Sequence, residues 1–280
     1  MSIRPGVPFA EYRAIHAVSS GYLRTVYQHS PAHAEHAALQ DRDTPAMRVG
    51  RALHCMALEN SEYAERFVTL PAGIDRRKTP DRKLVAELEA AYPRGVLTPE
   101  EDGQVTGMFR ALRDNEQAWS LLNRMGDSEV TVTWEDRVPC KARLDHFSKV
   151  DTLLDLKTCQ SAARRDFERE CRSKWYYGLQ LAFYRMGLRA CGREPLDVYL
   201  IALESSRPHG VVIYPVAQTY LNLWESTARI LLAQIAEYWL KPGLPVPGLP
   251  EVEEPILPAA WEIGQLEPAE DDGAHKGLGT

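Results

Sequence analysis

The sequence predicts an α/β protein of the α+β kind, with helices gathered early in the chain and a sheet assembled later. Three observations carry this. Residues 1–122 are dominated by helical apolar spacing and helix-start signals, among them Thr98 with Glu101 three positions on, a capping-box pattern. Residues 128–158 change texture to short, alternating or β-branched runs with brief joins. After them the chain reads as helix, strand, strand, helix.

Taken in order, residues 1–45 read as helical with a loop, where Ser19 or Ser20 can cap one helix and Pro31 can begin the next. Residues 44–60 have helical periodicity, with Met47, Leu53, Ala57 and Leu58 as expected core positions. Residues 61–97 hold a basic run at 75–83 and then a helical segment; residues 98–122 read as one long helix. Segments 128–136, 138–147 and 151–158 read as an antiparallel meander. A helix is expected within 162–191, two strands at 197–205 and 210–216 around the turn SRPHG, and a helix at about 218–240. Six prolines between 242 and 258 make the remainder extended or disordered. The expected organisation is an N-terminal helical segment (1–45), a core (46–240) and a Pro-rich acidic tail (241–280).

Composition narrows the class. A hydrophobic share of 44% and a charged share of 26% are ordinary for a globular protein. Five cysteines without a CxxC pair argue against a disulfide framework, a zinc knuckle or an iron–sulfur cluster. The opening residues have no apolar h-region, so no signal peptide is expected, and no apolar run approaches the ~18 residues of a membrane span. The net charge is −6, but residues 251–280 alone hold eight acids and one base, so the body is close to neutral. The stretch 143–193 holds 11 basic and six acidic residues. A neutral body with a basic centre is compatible with a nucleic-acid partner without requiring one.

The chemistry concentrates in RLDHFSKVDTLLDLKT (143–158). Side chains two apart on a strand share a face, so Asp155 and Lys157 project together while Leu154 and Leu156 point to the opposite layer. An antiparallel neighbour would bring Asp145 alongside. Two carboxylates that close resist joint ionisation unless a cation joins them. A hard divalent ion with oxygen ligands fits, and magnesium suits few carboxylates plus phosphate and water. The lysine can hold a water or offset charge growing on a phosphate. A surface hairpin with scattered charges is the competing explanation. Two helical patterns favour the site: Gly50, His54 and Leu58 at i, i+4 and i+8, and Gln180 with Tyr184 one turn apart. Arg76, Arg77, Lys78, Arg82 and Lys83 are either a solvated loop or a grip on a DNA backbone or terminal 5′-phosphate; Arg164 and Arg165 are further candidates for phosphate contacts. Glu59 and Glu129 are either support for the site or surface acids.

The order G-x3-H on a helix, an aspartate strand, D-x-K on the next strand and Q-x3-Y on a helix resembles the PD-(D/E)xK nucleases of the RecB-like branch. Within it, the chain is most similar to the exodeoxyribonuclease VIII (RecE-type) domains of phages and prophages, through AVSSGYLRTVYQHSPAHA, GRALHCMALE, DRRKTPDRK, LTPEEDGQVTGMFRAL, SEVTVTW and ALESSRPHGVVIYPV. The resemblance covers roughly residues 10–240. It implies a restriction-endonuclease-like core with a central mixed β-sheet flanked by helices. It implies Asp145 and Asp155 as metal-binding carboxylates, Lys157 as the catalytic lysine, His54 as a helix-borne ligand and the Leu156 carbonyl as a further ligand. Gln180 would steady the site or the DNA, with Tyr184 beside it against the DNA. The second acid is Asp rather than Glu, and the first lacks the proline that names the superfamily.

The implied activity is a Mg²⁺-dependent double-strand DNA exonuclease, with Mn²⁺ as a substitute, running 5′ to 3′ and leaving 3′ single-stranded tails. The implied partners are DNA ends, a single-strand annealing protein and further copies of the chain in a ring, in the cytoplasm of a bacterial host and without a membrane. A RecB-like single-strand or flap nuclease, or a catalytically silent DNA-end-binding module, are the rival expectations.

Overall fold

The computed structural model describes residues 1–40, 43–74, 77–239, 241 and 245–248. In chain order the elements are β1 (Ser2–Arg4), α1 (Phe9–Ala14), α2 (Ser20–Gln28), α3 (Pro31–Leu39), α4 (Pro45–Leu58), α5 (Tyr63–Arg66), β2 (Val68–Thr69), α6 (Thr79–Ala91), β3 (Val96–Leu97), α7 (Pro99–Asp114) and α8 (Glu116–Leu122). The second half holds β4 (Gly126–Asp136), β5 (Val138–Ser148), β6 (Thr152–Cys159), α9 (Arg164–Ser173), α10 (Tyr177–Ala190), β7 (Asp197–Glu204), β8 (Val211–Pro215) and α11 (Gln218–Trp239).

Helix starts follow the local chemistry. Ser19 caps α2 by accepting from the Tyr22 N–H, and Pro31 takes the first turn of α3. Thr98 and Glu101 form the full capping box of α7. The expected single helix over 98–122 is two, because the Asn115 side chain accepts from the Ala118 N–H and caps α8 anew. The span 162–191 likewise divides into α9 and α10.

Six strands form one mixed sheet in the order β1-β4-β5-β6-β7-β8. Every pairing is antiparallel except β6 with β7. A parallel pair needs a long crossover, and α9 with α10 provides it. Strand β1 was not expected: three residues are too few to show a strand period, and their place beside β4 is a tertiary choice.

Alternation along the strands sorts the sheet into two cores. Leu153, Val130, Val132 and Trp134 face one layer with Leu23 of α2, Phe183 of α10 and Leu232 of α11. Leu154, Leu156 and Ile201 face the other with Leu53 of α4 and Met108 of α7. Each fully buried leucine stabilises by roughly 1.5–3 kcal/mol. Three of them on β6 hold that strand in place although it also carries a buried aspartate. Of the core positions expected on α4, Leu53 is fully buried but Met47 is 47% exposed. The buried stripe runs through Val49, Ala52, Leu53 and Cys55, so Met47 falls on the opposite side of the helix.

The sheet has a fork. β5 and β6 pair only at His146 with Leu154 and Phe147 with Leu153. One step further in that register Asp145 would face Asp155, and there the ladder stops. Past it β5 is bordered instead by the segment before α2: the Val18 N–H donates to the Pro139 carbonyl, and the Lys141 N–H donates to the Val18 carbonyl, both at 2.8 Å.

Candidate functional site

The two aspartates sit where β5 and β6 part. Both are buried, Asp155 completely. The Leu156 N–H has lost its strand partner at the fork and donates to Asp145 Oδ2 at 2.7 Å. Asp145 Oδ1 lies 3.5 Å from His54 Nδ1. Asp155 Oδ1 accepts from Gln180 Nε2 at 3.2 Å. Asp155 Oδ2 touches Lys157 Nζ in a close ion pair, yet takes no aligned hydrogen bond from any described residue. Lys157 Nζ also stands 4.8 Å above the Tyr177 ring.

Helices from opposite faces reach this fork. α4 buries Val49, Ala52 and Leu53 against the sheet and presents His54 at the edge of that stripe. Gly50, one turn before His54, lies against β6: a Cβ built there would be 3.7 Å from Thr158 Oγ1. On the other face α10 is buried almost along its length and delivers Gln180. Gln180 Nε2 uses its second hydrogen on the Tyr184 hydroxyl, at 2.7 Å.

A third acid joins the pair. Glu129 on β4 lies opposite Asp145 at the one position where the β4–β5 ladder skips, with φ +50°. A non-glycine residue held there is strained, and such strain clusters at sites. Ligand atoms of His54, Glu129 and Asp145 all lie within 4.8 Å of one another. Arg143 steadies Glu129: its Nε pairs with Glu129 Oε2, its Nη1 donates to the Val7 carbonyl at 2.6 Å, and Glu59 Oε1 is 3.9 Å from its Nη2.

The buried acids and the imidazole shift one another's charge. Burial pushes the Asp155 carboxyl up to about 6 against the pull of Lys157. Burial, with Asp145 adding, also raises Glu129. Burial works to raise Asp145, but His54, Lys157 and the Leu156 N–H hold it below the usual carboxylate range. Burial opposes charge on His54, yet Asp145 and Glu129 outweigh it and push the imidazole up to about 9. A proton on His54 is therefore the cation the acids draw in. The buried, under-bonded Asp155 Oδ2 beside a three-group cluster fits a hard divalent ion.

Of the residues singled out from the sequence, His54, Asp145, Asp155, Leu156, Lys157 and Gln180 meet at the fork. Tyr184 does not stand at a surface where DNA could touch it. It is 5% exposed behind Gln180, and its hydroxyl is taken by that side chain. Arg77, Lys78 and Lys83 are exposed around the start of α6, which packs on a small separate core of Leu70, Val85 and Val96. Arg76 lies outside the described residues. Arg164 and Arg165 are exposed at the start of α9, shortly after β6. Glu129 enters through strand register, which a one-dimensional pattern does not display.

A helix-flanked mixed sheet, forked around two aspartates with a lysine two residues after the second, defines a domain of the PD-(D/E)xK nuclease type. Residues 22–242 match the family described as a PDDEXK-like domain of unknown function, DUF3799. The match spans well over half of the chain, and the chain belongs to that family. The crystal structure of a candidate exonuclease from Eubacterium rectale superposes with a TM-score of 0.61 at 15% identity, over 82% of this chain and 86% of that one. A second solved chain, SSO0001, covers 75% of this chain and 84% of its own at 16% identity, but its TM-score of 0.27 carries no argument. No curated protein matches the sequence. Among the described residues, no helix is long and apolar enough to cross a membrane.

Proposed function

We propose that this chain is a Mg²⁺-dependent exonuclease acting on double-stranded DNA from the 5′ end and leaving 3′ single-stranded tails. The observation that carries the reading is the convergence of Asp145, Asp155 and Lys157 at the sheet fork, closed by His54 from one layer and Gln180 from the other. The nuclease class follows from the fold and family. The exonuclease reading draws on the resemblance and on the description of the Eubacterium rectale protein.

Asp145, Asp155, Glu129, His54 and the Leu156 carbonyl are the groups that would hold the ion. Carboxylate and carbonyl donors suit Mg²⁺, and the imidazole admits Mn²⁺. When bound, a divalent ion supplies Lewis acidity for the scissile phosphate and a more acidic attacking water. The protein's own part is orientation and charge. The Leu156 N–H fixes the Asp145 carboxylate, and Gln180, itself held by Tyr184, fixes Asp155. Lys157 keeps its ammonium at the carboxylate edge, where it can donate to the attacking water or offset charge on the phosphate oxygens. His54 must release its proton from Nδ1 before it can act as a ligand.

We further propose that the chain works with a single-strand annealing protein, assembles with its own copies into a ring, and acts in the cytoplasm of a bacterial host from a phage or prophage. The experiment is a time course on linear duplex labelled at either end, with closed circular duplex as control, in magnesium, calcium or chelator. Release of 5′ nucleotides from linear DNA in magnesium alone is expected. Rapid cutting of circles would make it an endonuclease, and first release from the 3′ end would reverse the polarity.

A further inference from the structure

Arg24 on α2 is a half-buried cation without an anion among the described residues. Among the described residues it makes no hydrogen bond and no ion pair, whereas other arginines drawn out of water are neutralised: Arg48 by Glu101 and Asp43, Arg143 by Glu129, Arg185 by Glu225. Withdrawing a guanidinium from water without a partner is unfavourable, and burial lowers its pKa accordingly. The compensation visible is one aromatic face: the Arg24 guanidinium carbon lies 5.6 Å from the centroid of Trp175, whose ring also carries Lys174 Nζ at 5.0 Å. Trp175 is 36% exposed, so this cation–aromatic group opens to solvent.

Its position is informative. Tyr27 on the same helix meets Tyr176 edge-on, with ring centroids 5.0 Å apart, so α2 runs beside the start of α10. Tyr177 is the ring beneath Lys157 Nζ, and Tyr184 is the anchor of Gln180. Arg24 thus stands on the helix that borders the N-terminal end of α10, where Tyr177 and Gln180 sit. The mount is braced, since Gln28 Nε2 on α2 donates to the Lys174 carbonyl at 3.0 Å. Tyr176, next to Trp175, is held at φ +50°, a conformation bulky residues avoid and that recurs where geometry is functional.

We propose that Arg24, backed by Trp175, is a phosphate-binding residue that seats the DNA strand beside Lys157. This rests on the nuclease reading above. A planar guanidinium with its donors uncommitted matches phosphate oxygens bidentately, and a bound phosphate supplies an anion that no described residue provides. The phosphate is either a terminal 5′-phosphate or an internal phosphodiester.

The test is binding of linear duplex to the full chain in calcium, comparing 5′-phosphate with 5′-hydroxyl ends across a salt series. The proteins are wild type, Arg24→Gln and Arg24→Lys, with thermal melting alongside. Loss of one phosphate contact predicts weaker binding for Arg24→Gln and a log Kd against log salt slope shallower by about one. Arg24→Lys should keep the slope and bind less tightly than wild type. A wild-type preference for 5′-phosphate that vanishes in Arg24→Gln assigns the terminal phosphate; equal binding of both ends with the shallower slope assigns a phosphodiester. Unchanged Kd, slope and end preference in Arg24→Gln would overturn the proposal while leaving the nuclease reading intact. A wild-type chain that neither binds nor cuts DNA would overturn both. Should Arg24→Gln fail to fold, Arg24→Lys decides: a slope and affinity equal to wild type would exclude bidentate binding.

Discussion

Lys157 and His54 stand on opposite sides of the carboxylates, and their loss should read differently. Lys157→Ala is expected to lower turnover by about 10²–10³-fold with DNA binding kept, as when one charge-stabilising donor is removed. A time course of nucleotide release alongside a binding titration measures both. His54→Gln should weaken apparent metal affinity by about 10–100-fold, visible as a right shift in the magnesium dependence. The imidazolium has an acidity near 9 in the metal-free pocket, so protons and metal compete for Nδ1. Metal affinity should rise with pH up to about 9 and then level off, and the His54→Gln variant should lose that slope. Without metal the sign is reversed for stability. The folded pKa of His54 lies above its ordinary 6.5, so its contribution is full below about 6.5 and fades as pH rises through 9. Melting in chelator from pH 6 to pH 9.5 measures it, and adding magnesium should restore stability at the alkaline end. Tyr184→Phe removes the acceptor that anchors Gln180, worth about 1 kcal/mol, and should lower turnover several-fold while leaving the fold intact.

Among the elements, α10 carries the tightest constraint. A Cβ at Gly178 would lie 2.2 Å from Trp224 on α11, and one at Gly187 would lie 2.6 Å from Trp134 on β4. Each Gly→Ala change should destabilise the protein by about 1–3 kcal/mol in chemical denaturation, because neither indole can move without displacing core. Their effects on activity should diverge. Gly178 is two residues from Gln180, so shifting it disturbs the Asp155 hydrogen bond; Gly187 lies two turns further on and should alter stability alone. Helix starts such as Ser19 and Thr98 were legible because capping depends on residues three apart. The break between α7 and α8 was less so, since apolar periodicity runs on through Asn115 and only its cap shows the division.

For the molecule as a whole, charge distribution matters more than net charge. A chain ending at Gly248 loses eight acids and one base, and its formal charge changes from −6 to +1. Residues 1–248 form a compact unit by themselves. The shortened chain should therefore melt as the full one does but associate with DNA faster, with the difference shrinking as salt screens the interaction. Stopped-flow association at two ionic strengths measures this.

The residues that meet at the fork were readable in one dimension: Asp145, Asp155 and Lys157 stand out because strand alternation dictates which side chains share a face, and His54 and Gln180 because helical spacing does the same. Local rules of this kind act over two to four residues, and a sequence displays them directly. The fork, the entry of Glu129, the burial of Tyr184 and the unpaired Arg24 were decided only in three dimensions. They depend on where a strand ladder stops and which layer covers a side chain, and those follow from packing between segments beyond the reach of local spacing, as far apart as Arg24 and Trp175.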